Sequence, residues 1–516
     1  MKKFLPLAIL LAFALSSCGG EAYYPAEPEP PPVTEVEEAP PVVPEPENTG
    51  PEFMNLQYAL AIANIRRENF HAPSREMLES LAVGRVPRTI EVLETFFTRD
   101  DQEEIIPTAD AVSDAQLFFA TMREIYGGYT YFGGDAVFLP VFDRILDILS
   151  DAEYWYLDDF GLVLYENLSP YITDNHFHIN GRVFRASADI FTPGLGAAFD
   201  RTENGFRDRS NNLYVYEVPG HDISTLFRLS LDMSGQFYYT PVVIIPGTEN
   251  PGVIFITLVY TCGTEQRMSL SRRNYTRLGW QNVSLHTEAE NIPVVTIRQM
   301  DFDHPEWGQY EDARRFLSLA EQLRDEPVII VDARSNGGGN GLLARQFLHI
   351  LTGELVPQNF VSLHTNSYED LTRQVNDPES AGGLISAEVA ETYNPFVPIG
   401  NLTAFYFPDR LIENDRLIIL LVDRFSASAA EGFADLLLNV ENTLIIGQNT
   451  AGALNFDAIS TNLRLPLSGL HFMLGHTVMI HPEGSLIEGR GIAPDIWTHG
   501  DALIAAVAML REKGDF

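Results

Sequence analysis

The second half of the chain alternates short apolar strands with helical stretches, and this alternation restricts the fold more than any other feature. Compact apolar runs occupy Val294–Arg298, Val328–Asp332, Leu417–Val422 and Leu444–Gly447. Helical patterns lie between them, near 311–323, 341–352 and 429–440. Strands that are apolar throughout and separated by helices are typical of a parallel sheet covered on both faces. From about Ile292 onward the sequence therefore predicts an α/β core.

Upstream of this core the predicted secondary structure changes twice. From Met54 to about Leu168 the pattern is helical, and Ser113-Asp114-Ala115-Gln116 predicts the capped start of an amphipathic helix. From Phe177 to about Arg272 short β-type runs are separated by Gly, Asn and Pro clusters. These runs are Leu213–Val218, Tyr238–Ile245 and Val253–Thr261. We expect a helical domain at 54–176, a small β-rich subdomain at 177–290 and the α/β core at 291–516.

The N-terminus predicts export and attachment to a membrane. Lys2 and Lys3 precede the apolar run Phe4–Leu15, which is shorter than the ~20 residues of a membrane-spanning helix and fits a secretory signal. Leu15-Ser16-Ser17-Cys18 resembles the bacterial lipobox, so we expect removal of 1–17 and lipidation of Cys18. An ordinary signal peptide with a chance cysteine is the alternative. The several acyl chains of a lipoprotein would anchor the protein to a bacterial membrane, at the cell surface or in the periplasm.

The segment that follows the signal is unlike a folded domain. Residues 21–53 contain ten prolines and nine glutamates and no Lys or Arg. Such a segment cannot bury enough apolar surface to offset the entropy lost on ordering, and its prolines favour extended stretches. We interpret 18–53 as a semi-rigid spacer between the membrane and the folded protein.

Charge and cysteine content exclude two further possibilities. The net charge of −37 leaves no basic surplus to neutralise phosphates, so nucleic acid is not an expected partner. With Cys18 lipidated, Cys262 has no cysteine left to pair with, and we expect no intramolecular disulfide. Cys262 ends an apolar run and is expected to be a buried small hydrophobic residue.

Two junctions between strand and helix carry residues suited to catalysis. The first, Asp332–Gly341, is rich in glycines that let the backbone approach a ligand and present N–H groups. A plain tight turn is the alternative, and the dinucleotide pattern G-x-G-x-x-G fails at Leu342. The second is Asp423–Glu431, where Ser428 would lie at a helix N-terminus that stabilises negative charge. Its alternative role is structural, because Ser428 and Glu431 fit a capping box.

A third segment, Glu488–Asp495, holds an acid beside glycines close to the end of the chain. Taken in order with the two junctions and with Gly447–Gly452, it resembles the motifs of the tail-specific (C-terminal processing) protease family. The resemblance is strong over about residues 291–510 and extends weakly back to about residue 110. It implies a ClpP/crotonase-like α/β fold and hydrolysis of peptides or protein C-terminal tails, without a cofactor.

The same resemblance assigns roles to residues of this chain. It implies that Ser428 is the nucleophile of an acyl-enzyme mechanism. It implies that the N–H groups of Ala429 and of Gly338 or Gly339 form the oxyanion hole.

The chain departs from the serine-lysine branch of the family at the general base. That branch has a lysine directly after the Thr-x-Gly segment, where this chain has Ala453, and an auxiliary aspartate where it has Asn439. The remaining lysine of the mature chain is Lys513, in a tail whose acidic neighbours predict exposure. We therefore exclude a serine-lysine dyad.

Histidine is the alternative base, because its proton exchanges near neutral pH. Among twelve histidines, His176 in Thr173–His178 falls where helices give way to strands. The segment also resembles the branch related to the tricorn core protease, in which a histidine is the base and a glutamate near the chain end orients it. That branch implies Glu488 as the remote acid and has a serine where this chain has Asn175, so Asp174 is an alternative orienting group.

Two structural alternatives accompany these assignments. His176 and His178 share a strand face and could hold a metal, but no third ligand is evident, and we expect no metal. The β-rich stretch lies where many family members carry a PDZ domain, and Gly194-Leu195-Gly196 and the hairpin Val253–Arg272 faintly resemble parts of one. A turn at the glycine pair is the alternative.

The sequence thus favours a membrane-anchored, exported serine peptidase with a histidine base. A non-catalytic peptide- or ligand-binding lipoprotein that kept the fold is the rival hypothesis. The two differ in whether Ser428 reacts with a fluorophosphonate probe.

Replacing the two candidate bases separates the mechanisms. Lys513→Ala should leave the turnover rate unchanged, whereas His176→Ala should lower it by the ~10²–10⁴-fold that a positioned general base contributes. Activity should rise with pH through a transition near ~6.5, shifted by neighbouring groups. Steady-state hydrolysis by the two variants checks this, and an active His176→Ala with an inactive Lys513→Ala would make the mechanism wrong.

Overall fold

The structure is a computed structural model, and the part of the chain that it describes lies within one unit, Pro41–Phe516. The described residues are 54–68, 104–185, 187–194, 196–247, 251–279, 282–288, 291–301, 309–365, 384–386, 389, 396–399, 402–405, 411–457, 463–481 and 487–511. The signal, the spacer, Cys18 and Lys513 lie outside them, so the predictions made for those segments stay predictions.

The described helices lie before residue 170 and after residue 300, except for the four-residue α5. They are α1 Leu56–Glu68, α2 Thr108–Ile125, α3 Gly134–Leu149, α4 Leu157–Leu168, α5 Ile223–Leu226, α6 Gln309–Gln322, α7 Leu342–Thr352, α8 Ala429–Leu437 and α9 Ala502–Arg511.

The described strands form most of the middle of the chain. They are β1 Ile105–Pro107, β2 Tyr154–Tyr156, β3 Asp174–Ile179, β4 Arg182–Phe184, β5 Ala188–Thr192, β6 Phe199–Thr202, β7 Gly205–Asp208, β8 Tyr214–Glu217, β9 Phe227–Leu231, β10 Phe237–Pro241, β11 Val243–Pro246, β12 Val253–Tyr260 and β13 Glu265–Arg272. They continue as β14 Val283–Thr287, β15 Pro293–Ile297, β16 Val328–Asp332, β17 Val361–Thr365, β18 Phe396–Ile399, β19 Leu402–Phe405, β20 Leu417–Val422, β21 Thr443–Gly447, β22 Phe456–Asp457, β23 Leu463–Arg464, β24 His471–Met473, β25 Thr477–Ile480 and β26 Ile496–Thr498.

The α/β core is built as the apolar pattern predicts. Strands β15, β16, β20, β21 and β26 pair in parallel in that order, and every residue of β16, β20 and β21 is buried. One face packs into a hydrophobic cluster with α6, α7 and α8, and the other into a cluster with α1 and α9. Because helices cover both faces, the strands carry no polar face, and the expectation of an α/β fold is confirmed.

The β-rich stretch continues the same sheet and closes on itself. Strand β9 pairs in parallel with β26, which joins the stretch to the core without a break. The neighbouring strands follow the order β5-β13-β12-β8-β7-β6, and β10 pairs with β6 at one end of it and with β9. Strand β11 begins one residue after β10 and pairs with β5 at the other end of that order. These strands therefore form a closed, apolar-filled barrel, and the predicted Val253–Arg272 hairpin is present as β12–β13.

The helical region consists of two separate packing units. Helices α2, α3 and α4 share one hydrophobic cluster with β3, β4, β23 and β24. Helix α1 belongs to the other side of the molecule, where Leu56, Ala59 and Ala63 are buried against the central sheet. The predicted boundary at 176/177 falls inside strand β3, and the one at 290/291 falls between β14 and β15, which pair with each other. A helix long and apolar enough to cross a membrane does not occur in the described ranges.

Two local predictions are wrong. Helix α2 begins at Thr108, so Ser113 and Asp114 lie inside it, and the carboxylate of Asp114 accepts hydrogen bonds from the amides of Leu467 and Ser468 instead of capping α2. Cys262 is exposed rather than buried, because it lies in the turn between β12 and β13 after the last inward-facing residue, Tyr260.

A buried ion pair fastens α1 to the core and gives a stability test. Arg67 lies 3.1 Å from Asp495, with side-chain exposures of 1% and 3%. Arg67→Ala leaves the buried Asp495 with the amide of Ile445 at 2.9 Å and, as its remaining charged partner among the described residues, Arg66 at 3.4 Å. We therefore expect a loss approaching the roughly 3–5 kcal/mol of a broken buried pair. Arg123→Ala breaks an ion pair exposed to 48% and 42% and should cost less than about 1 kcal/mol. Urea unfolding of both variants measures the difference, and equal losses would contradict it.

Candidate active site

The two predicted catalytic loops meet because their strands are parallel neighbours. Strand β16 ends at Asp332 beside the end of β20, so the loops that follow leave the same edge of the sheet. The amide of Ser335 donates to Asp423 Oδ1 at 2.8 Å, and the amide of Ala427 donates to the carbonyl of Asn336 at 2.9 Å. These bonds tie the glycine-rich loop to the loop that carries Ser428.

A buried charge cluster holds the base of the glycine-rich loop. The carboxylate of Asp332 accepts two hydrogen bonds from the guanidinium of Arg334, both at 2.8 Å, and one from Arg298 at 2.9 Å. Burial acts to raise the pKa of Asp332, but these two arginines hold it below its usual value. Asp332 is therefore an anionic structural anchor.

Ser428 occupies a strained backbone position at the N-terminus of α8. Its φ of 53° and ψ of −117° lie outside the ordinary regions for a residue with a side chain. The carboxylate of Glu431 holds it there by accepting the Ser428 amide at 3.0 Å. Glu431 is completely buried and also accepts hydrogen bonds from Thr450 Oγ1 at 2.6 Å and from the amides of Gly452 and Ala453 at 2.8 and 2.7 Å.

His176 reaches this serine from a segment 252 residues earlier. Strand β3 places its Nε2 atom 3.2 Å from Ser428 Oγ, so the structure brings the predicted nucleophile and base together. The carboxylate of Asp174 does not touch the ring: Oδ1 accepts the backbone amide of His176 at 2.7 Å, and Oδ2 accepts the hydroxyl of Tyr126 at 2.8 Å.

The Nδ1 atom of His176 is buried and has no hydrogen-bond partner among the described residues. The backbone of Phe456 lies near the ring, although not in ordinary hydrogen-bond geometry. It favours the protonated ring and so acts to raise the pKa of His176. The ring is thus oriented by its own strand and by a main-chain group, without a direct carboxylate contact.

Glu488 lies close to His176, and its hydrogen bonds within the described part of the chain come from two main-chain amides. Its Oε1 atom accepts the amide of Asn175 at 2.9 Å, and Oε2 accepts the amide of Asn455 at 3.1 Å. The Asn175 side chain donates to the carbonyl of Gly452 at 2.7 Å. Glu488 therefore links the histidine strand to the segment that carries Phe456.

Burial sets the protonation of this group of side chains. It lowers the pKa of His176 to about 4, with a further contribution from the neighbouring His178. It raises the pKa of Asp174 to about 7, and, together with the negative charge of Asp174, it raises that of Glu488 well above its usual value. The imidazole is consequently neutral and able to accept a proton at neutral pH, and the pH transition moves below the value of ~6.5 expected from the sequence.

The amides predicted to form the oxyanion hole differ in whether they can donate to a substrate. The Gly338 amide donates to Asn336 Oδ1 at 2.8 Å, so it is not open to a substrate, which corrects the choice between Gly338 and Gly339. No acceptor among the described residues engages the amides of Gly339 or Ala429. Gly338 lies against Ser428, since a Cβ placed on it would be 2.7 Å from Ser428 Cβ, and Gly339 has a φ of 131°.

Comparison with known proteins identifies the core. Residues 291–498 match the model of Peptidase family S41. Residues 291–498 are a peptidase family S41 domain. This part of the chain therefore belongs to a family of peptidases, whose substrates are peptides or proteins. The S41 domain contains the glycine-rich loop, Ser428 and Glu488. His176 lies before this domain in the sequence, on strand β3.

Solved structures resemble the chain only distantly. Mature CPAF complexed with lactacystin is 15% identical, with 79% of this chain and 97% of that chain covered and a TM-score of 0.41. The photosystem II D1 C-terminal processing protease is 13% identical (77% and 93% covered, TM-score 0.34). The tricorn protease is 13% identical (78% and 37% covered, TM-score 0.33). No curated protein sequence matches the chain.

The positions of the serine-lysine branch are occupied by structural residues in this S41 domain. Ala453 contributes its amide to Glu431, and Asn439 donates to the carbonyl of Pro357 at 2.8 Å. Within the described ranges, His, Cys, Asp and Glu side chains form no group of three or more arranged for a metal ion.

Asn455 is the residue that the sequence analysis missed. Its side chain is completely buried, and its Oδ1 atom accepts the amides of Ile487 and Glu488 at 2.9 and 2.7 Å, while Nδ2 donates to the carbonyl of Met479 at 2.9 Å. It therefore fixes Glu488 and, through the chain, its neighbour Phe456. A lone asparagine outside any motif gives no sequence signal for such a role.

The buried Asp174 gives a pH-dependent stability test. Because its pKa rises from 3.8 to about 7 on folding, the folded state binds more protons than the unfolded state between these values. Its contribution to stability is therefore greatest below pH ~4 and is lost as the pH rises to ~7, with a slope of at most about 1.4 kcal/mol per pH unit. Asp174→Asn keeps an acceptor for the His176 amide and removes the titration, so the wild-type stability minus the variant stability should fall with rising pH.

Urea unfolding at pH 4, 5.5 and 7 measures this difference. Asp135→Asn is the control, because Arg123 lowers the pKa of that exposed carboxyl and its contribution has the opposite sign. A pH-independent difference for Asp174→Asn would contradict the assignment.

Proposed function

We propose that the protein is an active, histidine-dependent serine peptidase of the S41 family that is anchored to a bacterial membrane through lipid on Cys18. The observation that carries the catalytic part is the 3.2 Å contact between His176 Nε2 and Ser428 Oγ at a strained turn. The signal, the lipobox and the Pro/Glu-rich spacer 18–53 support the anchor and a location outside the cytoplasm.

In the proposed acylation step, Ser428 Oγ attacks the peptide carbonyl carbon and its proton passes to His176 Nε2. The carbonyl oxygen becomes negative and accepts hydrogen bonds from the amides of Ala429 and Gly339. When the C–N bond breaks, His176 donates the proton to the leaving amine, and the substrate carbonyl stays on Ser428 as an ester.

Deacylation reverses these roles with water. His176 takes a proton from water as the water oxygen attacks the ester carbon, and the C–O bond to Ser428 then breaks. The proton returns from Nε2 to Oγ, which restores the free serine. Both steps require a neutral imidazole at the start, and burial supplies it by lowering the pKa of His176.

The carboxylates act on this cycle through the backbone. Asp174 and Glu488 hold the amides of His176 and Asn175, which fixes the strand that carries the ring. Burial raises the pKa of both groups, which favours their neutral forms, so their role in this cycle is to position the strand. Neither needs to accept the Nδ1 proton directly.

Replacement of the nucleophile tests the proposal. Ser428→Ala should abolish both peptide hydrolysis and labelling by a fluorophosphonate, with little loss of stability, because the Glu431 bond to its amide remains. Ser426→Ala is the matched control: Ser426 lies in the same loop, but its hydroxyl bonds to the carbonyl of Ala333 at 2.8 Å. We expect it to keep the label.

Labelling is read by mass spectrometry of the modified peptide and turnover by fluorogenic peptides. Absence of labelling in the wild-type protein would favour the rival hypothesis of a non-catalytic binding lipoprotein. Continued turnover by Ser428→Ala would make the nucleophile assignment wrong.

A further inference from the structure

The four-stranded sheet that carries His176 has one apolar face and one basic face. Its strand order is β23-β24-β3-β4. Phe177, Ile179 and Phe472 point to the apolar side, where they are completely buried in the cluster with α2, α3 and α4. At alternate positions of these strands, the side chains farther from Asp174 are only partly buried, so this part of the opposite side is open to solvent; they are His178, His471, Met473 and Arg464.

Four basic side chains are collected on this open side. Arg464 is directly opposite His471, and His178 is directly opposite both Met473 and Val183, so these residues share one face. Arg185 follows β4 and is near enough for its charge to lower the pKa of His178, although burial is the larger cause. We call Arg185, His178, His471 and Arg464 the basic face.

The basic face lacks the carboxylates that usually accompany such a group. Within the described part of the chain, none of its four residues forms an ion pair. Among the described residues, Arg464 donates to the carbonyl of Gly469 at 3.3 Å, and His178 Nε2 bonds to the carbonyl of Asn175 at 3.3 Å. The buried His471 Nε2 atom has no hydrogen-bond partner in that part of the chain. In a chain with 71 acidic and 34 basic residues, an uncompensated basic cluster is a local exception.

The basic face is continuous with the catalytic pair. His178 lies two residues beyond His176 on β3, a separation of about 6.6 Å along a strand, and its charge acts on the His176 ring. An extended peptide advances by the same ~3.3 Å per residue. A peptide whose scissile bond lies at Ser428 and which runs over this sheet therefore meets the basic face about two to four residues from that bond.

We propose that the basic face is a substrate subsite that binds a carboxylate of the peptide two to four residues from the scissile bond. This inference rests on the proposed function, because it places the substrate of that same site. Arg185 and Arg464 supply both the charge and the N–H donors for the carboxylate. Burial lowers the pKa of His178 and of His471, so these imidazoles line the face in their neutral form. The substrate class is thus a peptide with acidic character close to the cleavage site.

Such a carboxylate has two sources, an Asp or Glu side chain or the free C-terminus of the substrate. The starting point is a fluorogenic peptide that the wild-type protein cleaves. The first pair of peptides differs in having Glu or Gln at the second to fourth residues on either side of the scissile bond. A second pair compares a free C-terminus with its amide. A preference for Glu in the first pair identifies a side chain, and a preference for the free acid in the second identifies the terminus.

Variants of the basic face test whether it causes the preference for an acidic peptide. Arg185→Gln combined with Arg464→Gln should raise KM for the preferred acidic peptide by about threefold to thirtyfold, the effect of losing two partly exposed charge contacts, with kcat unchanged. The uncharged peptide should be cleaved as before. Arg185→Lys combined with Arg464→Lys should keep the preference. Arg182→Gln is the matched control, because Arg182 is on the same strand but opposite buried Ile179.

The outcomes separate this inference from the proposed function. Fluorophosphonate labelling of Ser428 with equal KM values for acidic and uncharged peptides would overturn the subsite and leave the peptidase intact. A preference that survives the Arg185→Gln and Arg464→Gln replacement would also overturn it. If no peptide is cleaved, anisotropy of a fluorescein-labelled Glu peptide and its Gln counterpart decides: selective binding lost in the double variant supports the subsite, and equal binding overturns it.

Discussion

The geometry of the active site depends on the buried carboxylate of Glu431. It lies one turn into α8, and it collects the amide of Ser428, the hydroxyl of Thr450 and the amides of Gly452 and Ala453. Burying this charge is costly unless every lone pair is satisfied, and four donors meet that requirement. The same bonds hold Ser428 in a strained conformation and fasten it to the Thr450–Ala453 segment. The capping-box pattern therefore describes part of what this residue does, since the cap also ties the nucleophile turn to the rest of the site.

Two further carboxylates, Asp174 and Glu488, extend this arrangement to the base. Both bond to backbone amides, and both are buried so deeply that their pKa values rise. A carboxylate that accepts hydrogen bonds from main-chain amides fixes the position of a strand more firmly than a carboxylate that contacts a side-chain ring, which can rotate. The site thus relies on backbone placement of His176, and the ring itself keeps an unpaired Nδ1 atom. The cost of that unpaired atom is lowest when the imidazole is neutral, which is the form that accepts the serine proton.

The sequence predicted the parts of the molecule that local patterns encode. Strands β16 and β20 begin and end where their apolar runs do, because residues buried on both sides must be apolar at every position. Ser428, His176 and Glu488 were named from motifs, and the structure brings them close together. The start of α2 was misplaced because Asp114 satisfies distant amides, a long-range contact that no local pattern contains. Asn455 and the barrel closure through β10 and β11 were missed for the same reason.

The distance in sequence between base and nucleophile explains why so much of the chain is needed for one contact. His176 comes before the S41 domain, and β3 is held beside the domain by pairing with β24 and by Phe177 packing against Phe118 and Tyr126. In the proposed mechanism the helical cluster is thus part of the catalytic apparatus, because it sets the position of His176 relative to Ser428. A lysine following the Thr-x-Gly segment would need no such support, since it would belong to the same domain as the serine. With Ala453 at that position, the proposed base comes from a separate layer of structure, and its placement against Ser428 depends on how that layer packs on the S41 domain.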